Sequence, residues 1–90
     1  MSNPVLAAVT NGSYGPNLVS GGYAILWGSF ASSGNAVMLN GQALPASALQ
    51  YQSNAQINIK LGTLPPSASF AVVNPNGISN AVAAPVSAFQ

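Results

Sequence analysis

Residues 56–61, QINIKL, alternate polar and apolar side chains without a break. This period of two is typical of a β-strand with one face on a hydrophobic core and the other in water. The pattern predicts that Ile57 and Ile59 are buried and that Lys60 points to solvent. If this strand lies at a sheet edge, Lys60 would also discourage the addition of another strand, a common use of lysine in natural sheets.

The rest of the chain continues this pattern of short strands separated by turn residues, and no segment shows a helical stripe. Further strands are predicted within 4–9, 23–28, 36–44, 68–73 and 79–89, with a short one within 45–55. Within 36–44 the strand is followed by Asn40-Gly41, a signal of a hairpin turn. About seven short strands with turns every 8–12 residues are typical of an Ig-like sandwich. We therefore predict an all-β fold, an Ig-like β-sandwich without a notable helix, formed by residues 1–90 as a single domain.

The predicted core follows from the inward positions of these strands. Large-to-small changes at such positions usually cost about 2–5 kcal/mol. The predicted core residues are Leu26, Val37, Leu39, Ile57, Ile59, Phe70, Val72 and Val82.

Charge is almost absent from this sequence. It is 49% hydrophobic and 1% charged, with one lysine and no Arg, Asp, Glu, His or Cys. General acid-base catalysis and metal binding depend on residue types that the chain lacks, so we expect no enzyme activity, no metal and no cofactor. One lysine cannot form a basic patch, so we expect no nucleic-acid partner. Weak like-charge repulsion favours self-association.

Two further observations concern localisation. No apolar run reaches the roughly 18 residues of a membrane span, so we expect no membrane insertion. The first residues, MSNPVLAAVTNG, have neither the basic start nor the long apolar segment of a signal peptide. We expect that an export signal was removed or that the domain belongs to a longer chain.

Four segments resemble the IPT/TIG family, Ig-like domains found in plexins, Rel-type factors and many bacterial surface proteins. They are SGGYAILWGSF, VMLNGQALP, YQSNAQINIKLG and ASFAVVNPNGISNAV. The resemblance covers residues 4–86, and its most specific part is NPNGISN at 74–80. In one departure from the family pattern, only Ser29 separates Gly28 from Phe30. The resemblance implies an Ig-like fold and a secreted or cell-surface protein. The basic DNA-binding loops of Rel-type members are missing.

The strand at 23–28, YAILWG, leaves two orientations open. Side-chain bulk predicts that Tyr23, Ile25 and Trp27 face the core, with Trp27 as a core tryptophan. Alignment with the IPT/TIG pattern instead turns Ala24 and Leu26 inward. In that orientation Tyr23, Ile25 and Trp27 form an outer row that would stack on a sugar ring or on another subunit, and they are our candidate binding residues.

These features predict a non-catalytic extracellular or cell-surface module, structural or interacting, whose partner is a neutral polysaccharide or a protein. One alternative is a self-assembling subunit of an extracellular fibre or layer. Another is a domain engineered to carry few charges, with no specific ligand.

Overall fold

The computed structural model describes residues 3–15, 17–32, 34–64 and 67–87. Within these ranges the chain forms ten strands and one turn of 3₁₀-helix at Ala46–Ala48. The strands are β1 Val5–Asn11, β2 Leu18–Val19, β3 Tyr23–Ser29, β4 Ala36–Leu39, β5 Gln42–Ala43, β6 Leu49–Gln52, β7 Gln56–Lys60, β8 Ser67–Asn74, β9 Gly77–Ile78 and β10 Val82–Ser87. Seven of these have four or more residues, as predicted.

The strands form two sheets that pack face to face. The first sheet has the order β1-β3-β7-β6, and the second has the order β2-β10-β8-β4-β5, with β9 added beside β8. In immunoglobulin letters the first sheet is A-B-E-D and the second contains G-F-C. Neighbouring strands are antiparallel except β2 and β10, which are parallel. The predicted all-β, Ig-like sandwich is therefore confirmed.

The core lies between the two sheets and is built from alternate residues of the strands. Six predicted core residues are fully buried: Leu26, Val37, Ile57, Ile59, Phe70 and Val72. The other two, Leu39 and Val82, are only partly buried and pack against the margin of this cluster. They lie at the end of β4 and the start of β10, where the opposite sheet covers them less completely.

The inward side of β3 carries its smaller side chains. Ala24 and Leu26 are fully buried in the core, where they pair across the sheet with Ile59 and Ile57. Trp27 is on the outer face and only partly buried. The orientation predicted from bulk, including the core tryptophan, is therefore wrong. Register with the strictly alternating β7 sets the orientation of β3, because paired residues point to the same side of a sheet.

Side-chain amides join the two sheets where strand pairing stops. The Asn80 Nδ2 donates to the Leu6 carbonyl oxygen at 2.8 Å, and the Leu6 backbone N–H donates to Asn80 Oδ1 at 3.0 Å. Asn80 thus pairs with β1 as another strand residue would. Leu6 precedes an irregularity in the β1–β3 pairing, so this amide satisfies backbone groups that the local ladder does not.

A second amide cluster lies at another junction of the sheets. Asn35 Nδ2 donates to Gln52 Oε1 at 3.1 Å, and Asn74 Nδ2 donates to Asn35 Oδ1 at 3.0 Å. Gln52 belongs to β6 of the first sheet and Asn74 to β8 of the second. Asn35 and Asn74 are both buried, and their mutual hydrogen bonding offsets the cost of removing them from water.

The turn between β4 and β5 is formed by Asn40 and Gly41, with φ values of 51° and 84°. Two positive φ values in a two-residue hairpin loop match the Asn-Gly turn predicted for this stretch. The Asn40 side chain is also held, because its Oδ1 accepts from the Ser69 N–H at 2.8 Å and its Nδ2 donates to the Ser67 carbonyl at 3.3 Å.

Strand β7 is not an edge strand, because it lies between β3 and β6. The hypothesis that Lys60 protects an edge is therefore wrong, although its side chain is exposed as predicted. Among the described residues, no helix has the length and apolar character needed to cross a membrane.

Candidate functional site

The outer face of the first sheet carries an aromatic row on β3. Tyr23 is 51% exposed, Trp27 is partly buried, and Ile25 between them is only 5% exposed. Ile25 does not belong to the core cluster between the sheets. Its burial comes instead from neighbours on the outer face, including Thr10 and Asn58, which are paired with it on either side.

Trp27 is held in place by two contacts. Its indole Nε1 donates a hydrogen bond to Thr10 Oγ1 at 3.0 Å. Its ring centroid lies 5.9 Å from that of Tyr14, with an angle of 43° between the ring planes. This distance is within the usual range for interacting aromatic pairs. Trp27 therefore packs against the Tyr14 ring and supports it on the sheet.

Tyr14 projects from the loop between β1 and β2 and is 69% exposed. Its φ of 66° is in the left-handed region, which non-glycine residues adopt uncommonly. The loop is fixed by Asn11, whose Oδ1 accepts from the backbone N–H groups of Ser13 and Gly15 at 2.8 and 2.9 Å. Its Nδ2 donates to the Asn17 carbonyl at 2.8 Å. One anchored asparagine thus presents the Tyr14 ring above the strand face.

A groove of about 310 Å³ crosses this face. Its walls come from the loop after β1, from β3, and from β6 and β7 on the far side. The lining residues are Gly12, Tyr14, Tyr23, Ile25, Gln50, Gln56 and Asn58. The groove therefore combines two exposed tyrosine rings, an apolar floor and three side-chain amides.

The amides are ordered by hydrogen bonds. Gln56 and Asn58 share one face of β7, and Gln56 Nε2 donates to Asn58 Oδ1 at 2.8 Å. Gln50 lies where the β6–β7 register shifts. Its Nε2 donates to the Ser47 carbonyl oxygen at 3.2 Å. Leu49 pairs with Ile59 and Tyr51 pairs with Asn58, so Gln50 between them is the extra residue of the irregularity. In this position the Gln50 side chain lines the groove.

The only formal charge of the chain lies beside this groove, outside its lining. Lys60 Nζ is 4.8 Å from the centroid of the Tyr23 ring and donates to the Gly21 carbonyl oxygen at 3.2 Å. The ammonium therefore covers one side of Tyr23 through a cation–π contact. The groove itself is lined by uncharged residues, and the sequence has no carboxylate or imidazole to add to them.

The structure brings together two of the three predicted site residues. Tyr23 and Ile25 line the groove, whereas Trp27 lies next to it and supports Tyr14. Sequence reasoning missed Tyr14, Gln50, Gln56 and Asn58 as site residues. The alternation of residues 56–61 already placed Gln56 and Asn58 opposite the core, but the pairing of β7 with β3, which sets them beside Ile25, depends on the fold.

The chemistry available here is stacking and neutral hydrogen bonding. Tyrosine rings offer flat apolar surface with a polar tip, and amides offer both donors and acceptors. A search of protein-family models finds no match for this chain, and a search of curated proteins finds none either.

Proposed function

We propose that this protein is a non-catalytic interaction module that binds a neutral glycan in the groove on the first sheet. The observation that carries the proposal is the composition of that groove, which combines tyrosine rings and amides with no charged side chain. Sugar rings present apolar C–H faces and hydroxyl edges. The former stack on aromatic rings and the latter bond to amides. The groove volume is at the lower end of the range for ligand pockets.

The distribution of aromatic residues supports this choice. The chain has three tyrosines and one tryptophan. Tyr23, Trp27 and Tyr51 all lie on the outer face of the first sheet, and the loop residue Tyr14 contacts Trp27. A sandwich needs no aromatic residues on an outer face for its stability. Their accumulation beside a groove is characteristic of a binding surface.

We further propose that the domain is an IPT/TIG-like module of a secreted or cell-surface protein. The Ig-type strand order supports this, as do the contacts made by the segment that resembles the family most specifically. In that segment Asn74 and Asn80 make hydrogen bonds that join the sheets, and Ser79 Oγ accepts from the Val72 N–H at 2.8 Å. A surface with almost no charge suits a partner that is uncharged too.

The test is a titration with neutral hexasaccharides of glucose, mannose and galactose, followed by Trp27 fluorescence and backbone amide shifts. We expect at least one sugar to shift the signals of Tyr14, Tyr23 and Asn58 and to change the Trp27 emission through the Tyr14 contact. The proposal is overturned if all three sugars leave both signals unchanged at millimolar concentration.

A matched pair of variants locates the binding surface. Tyr23→Ala removes a ring that lines the groove, and Tyr51→Ala removes one of similar exposure, 53% against 51%, that does not. We expect Tyr23→Ala to weaken binding about tenfold and Tyr51→Ala to leave it nearly unchanged, since base–aromatic stacking, a comparable contact, contributes about 1–3 kcal/mol. Equal losses in both variants would show that the ligand also contacts Tyr51 and is not confined to the groove.

Self-assembly remains the second candidate, and the single formal charge of the chain favours it. The sheet edges oppose strand addition, because β2 and β5 have two residues each and β1 and β6 carry register shifts. Copies would therefore have to join through their faces. Sedimentation velocity at rising concentration tests this, and a monomer at millimolar concentration rules it out for the isolated domain.

A further inference from the structure

The amides of the groove keep both hydrogen-bond acceptors and donors free for a ligand. Because Gln56 Nε2 is bonded to Asn58 Oδ1, the groups left over are the Gln56 carbonyl oxygen and the Asn58 NH₂. Neither has a hydrogen-bond partner among the described residues. Reversing both amides together would keep this bond and exchange the two remaining groups, so the pair offers a ligand one carbonyl oxygen and one NH₂ group in either arrangement.

Gln50 adds a second acceptor from the opposite wall. Its NH₂ group is bonded to the Ser47 carbonyl oxygen, which leaves the Gln50 Oε1 without a partner in the described part of the chain. The groove thus presents two amide carbonyl oxygens and one amide NH₂ group without a described partner, and each of the two bonded NH₂ groups retains a second N–H. The tyrosine hydroxyls can serve in either role.

From this we infer that the groove selects glycans by their free hydroxyl groups and binds neutral sugars with adjacent hydroxyls in preference to uronates or O-methylated sugars. The inference rests on the proposed function. A pair of neighbouring hydroxyls can donate to Gln56 Oε1 and accept from Asn58 Nδ2. An O-methyl group has no proton to donate, so it leaves the carbonyl oxygens desolvated and unpaired.

A uronate is disfavoured for a related reason. An ionised carboxylate only accepts hydrogen bonds, so it has no proton to donate to the amide carbonyl oxygens that have no described partner. The single ammonium is not part of the groove lining, since Lys60 donates to the Gly21 carbonyl oxygen and lies over the Tyr23 ring. The preference for neutral sugars therefore comes from the amide carbonyl oxygens, which need a hydroxyl proton, as well as from the uncharged lining.

The experiment uses calorimetric titration with three forms of one glycan. They are the neutral hexasaccharide that binds tightest among those of glucose, mannose and galactose, its fully O-methylated derivative, and the hexamer of the corresponding uronic acid. We expect both modified forms to bind about tenfold or more weakly, as two hydrogen bonds are lost or opposed.

A variant pair connects this selectivity to the amides. Gln56→Met keeps the length of the side chain but removes its carbonyl and frees Asn58. We expect this change to reduce the discrimination against the methylated sugar to about threefold or less. Gln42→Met is the control, because Gln42 is an exposed residue of β5 on the second sheet, and it should leave the discrimination unchanged.

The outcomes separate the two proposals. If a neutral hexasaccharide binds and its methylated or uronate form binds equally well, the selectivity inference is wrong while the proposed function stands. The selectivity inference is also wrong, again without harm to the proposed function, if Gln56→Met retains full discrimination. If none of the neutral hexasaccharides binds, both are wrong.

Discussion

The two faces of β3 carry side chains of different size, and the larger side chains lie on the face that is turned away from the core. The inner face buries Ala24 and Leu26 completely, while the outer face carries Tyr23, Ile25 and Trp27. A strand selected only for stability would turn its largest apolar side chains toward the core, where each stabilises the fold most. In the reversed arrangement the smaller side chains fill the space between the sheets, and the larger ones lie on the face for which we propose a binding role.

The outer face of the second sheet is a useful reference for this comparison. Its paired positions hold small or flexible side chains, as in Ala36 opposite Val73 and Met38 opposite Ala71. On this face β4 and β8 carry neither aromatic rings nor a comparable number of side-chain amides. Lys60 is the one charged side chain on the outer faces of the two sheets. Both faces are therefore nearly uncharged, yet only the first carries tyrosines on its strands, so low charge alone does not explain them.

The largest effect is expected from the inner face. Leu26→Ala should lower the free energy of unfolding by about 2–5 kcal/mol, because the side chain is fully buried and leaves a cavity. Urea denaturation followed by Trp27 fluorescence measures this change. A loss below about 1 kcal/mol would show that the two faces of β3 contribute similarly to stability.

Gly28 lies where β3 meets the irregular part of β1, and its substitution tests how closely the two strands pack there. A Cβ at this position would lie 2.0 Å from the Val5 carbonyl oxygen and 3.1 Å from the Phe30 ring. Gly28→Ala should therefore destabilise the protein by about 1–3 kcal/mol or more, since β1 must shift. Gly62→Ala is the control, because its Cβ would meet nothing within 4 Å. Thermal unfolding of both variants makes the comparison, and equal midpoints would contradict it.

The side-chain amide of Asn80 should contribute nearly as much to the free energy of unfolding as a small core side chain does. Asn80→Ala removes both hydrogen bonds to Leu6 and should cost about 1–2 kcal/mol in urea denaturation. Asn54→Ala serves as the control, because Asn54 is exposed and its side chain makes no hydrogen bond with another described residue. Amide hydrogen exchange at Leu6 should accelerate only in the Asn80 variant, and unchanged exchange would argue against the pairing.

On the outer face, a substitution should lower glycan affinity much more than it lowers the free energy of unfolding. Tyr23→Ala should reduce the free energy of unfolding by less than about 1 kcal/mol, because half of the side chain is exposed. The same variant is expected to lose about tenfold in glycan affinity. A loss of stability as large as that of Leu26→Ala would mean that the outer row is structural.

The smallest effect belongs to Lys60. Lys60→Gln removes the cation–π contact with Tyr23, which at an exposed position contributes about 0.5–1 kcal/mol. The change should be measurable in the Tyr23 ring resonances as well as in thermal unfolding. Identical Tyr23 resonances in both proteins would show that the ammonium does not rest on the ring in solution.

The fold could be predicted from sequence where one physical signal dominates. Residues 56–61 alternate strictly, so the inward positions Ile57 and Ile59 followed directly. The Asn40–Gly41 turn was equally clear, because few residue pairs accept two positive φ values. By contrast β3 has apolar residues on both faces, and bulk gave the wrong orientation. The alternative taken from the IPT/TIG alignment, with Ala24 and Leu26 inward, is the observed one. In the structure the pairing with β7 sets this orientation, and that information is not local.

The groove was less predictable because its parts are distant in sequence. Tyr23 and Ile25 were identified from one strand, but Tyr14 reaches the same face through a left-handed backbone conformation anchored by Asn11. Gln50 reaches it through a register shift in β6. Neither a loop conformation of this kind nor a bulge has a reliable sequence signature here, so these contributions required the three-dimensional arrangement.

The Asn40–Gly41 turn also determines how this protein ages. The backbone nitrogen of Gly41 can attack the side-chain carbonyl carbon of Asn40, which releases ammonia and closes a cyclic imide that water opens to aspartate or isoaspartate. In a chain without Asp or Glu, that event creates the first side-chain carboxylate and balances the charge of Lys60. While the protein is folded, the contacts of Asn40 with Ser67 and Ser69 restrain the amide. Asn11 and Asn76 also precede glycine, so charge variants separated by ion exchange and assigned to Asn40 by peptide mapping would record how long this hairpin has spent unfolded.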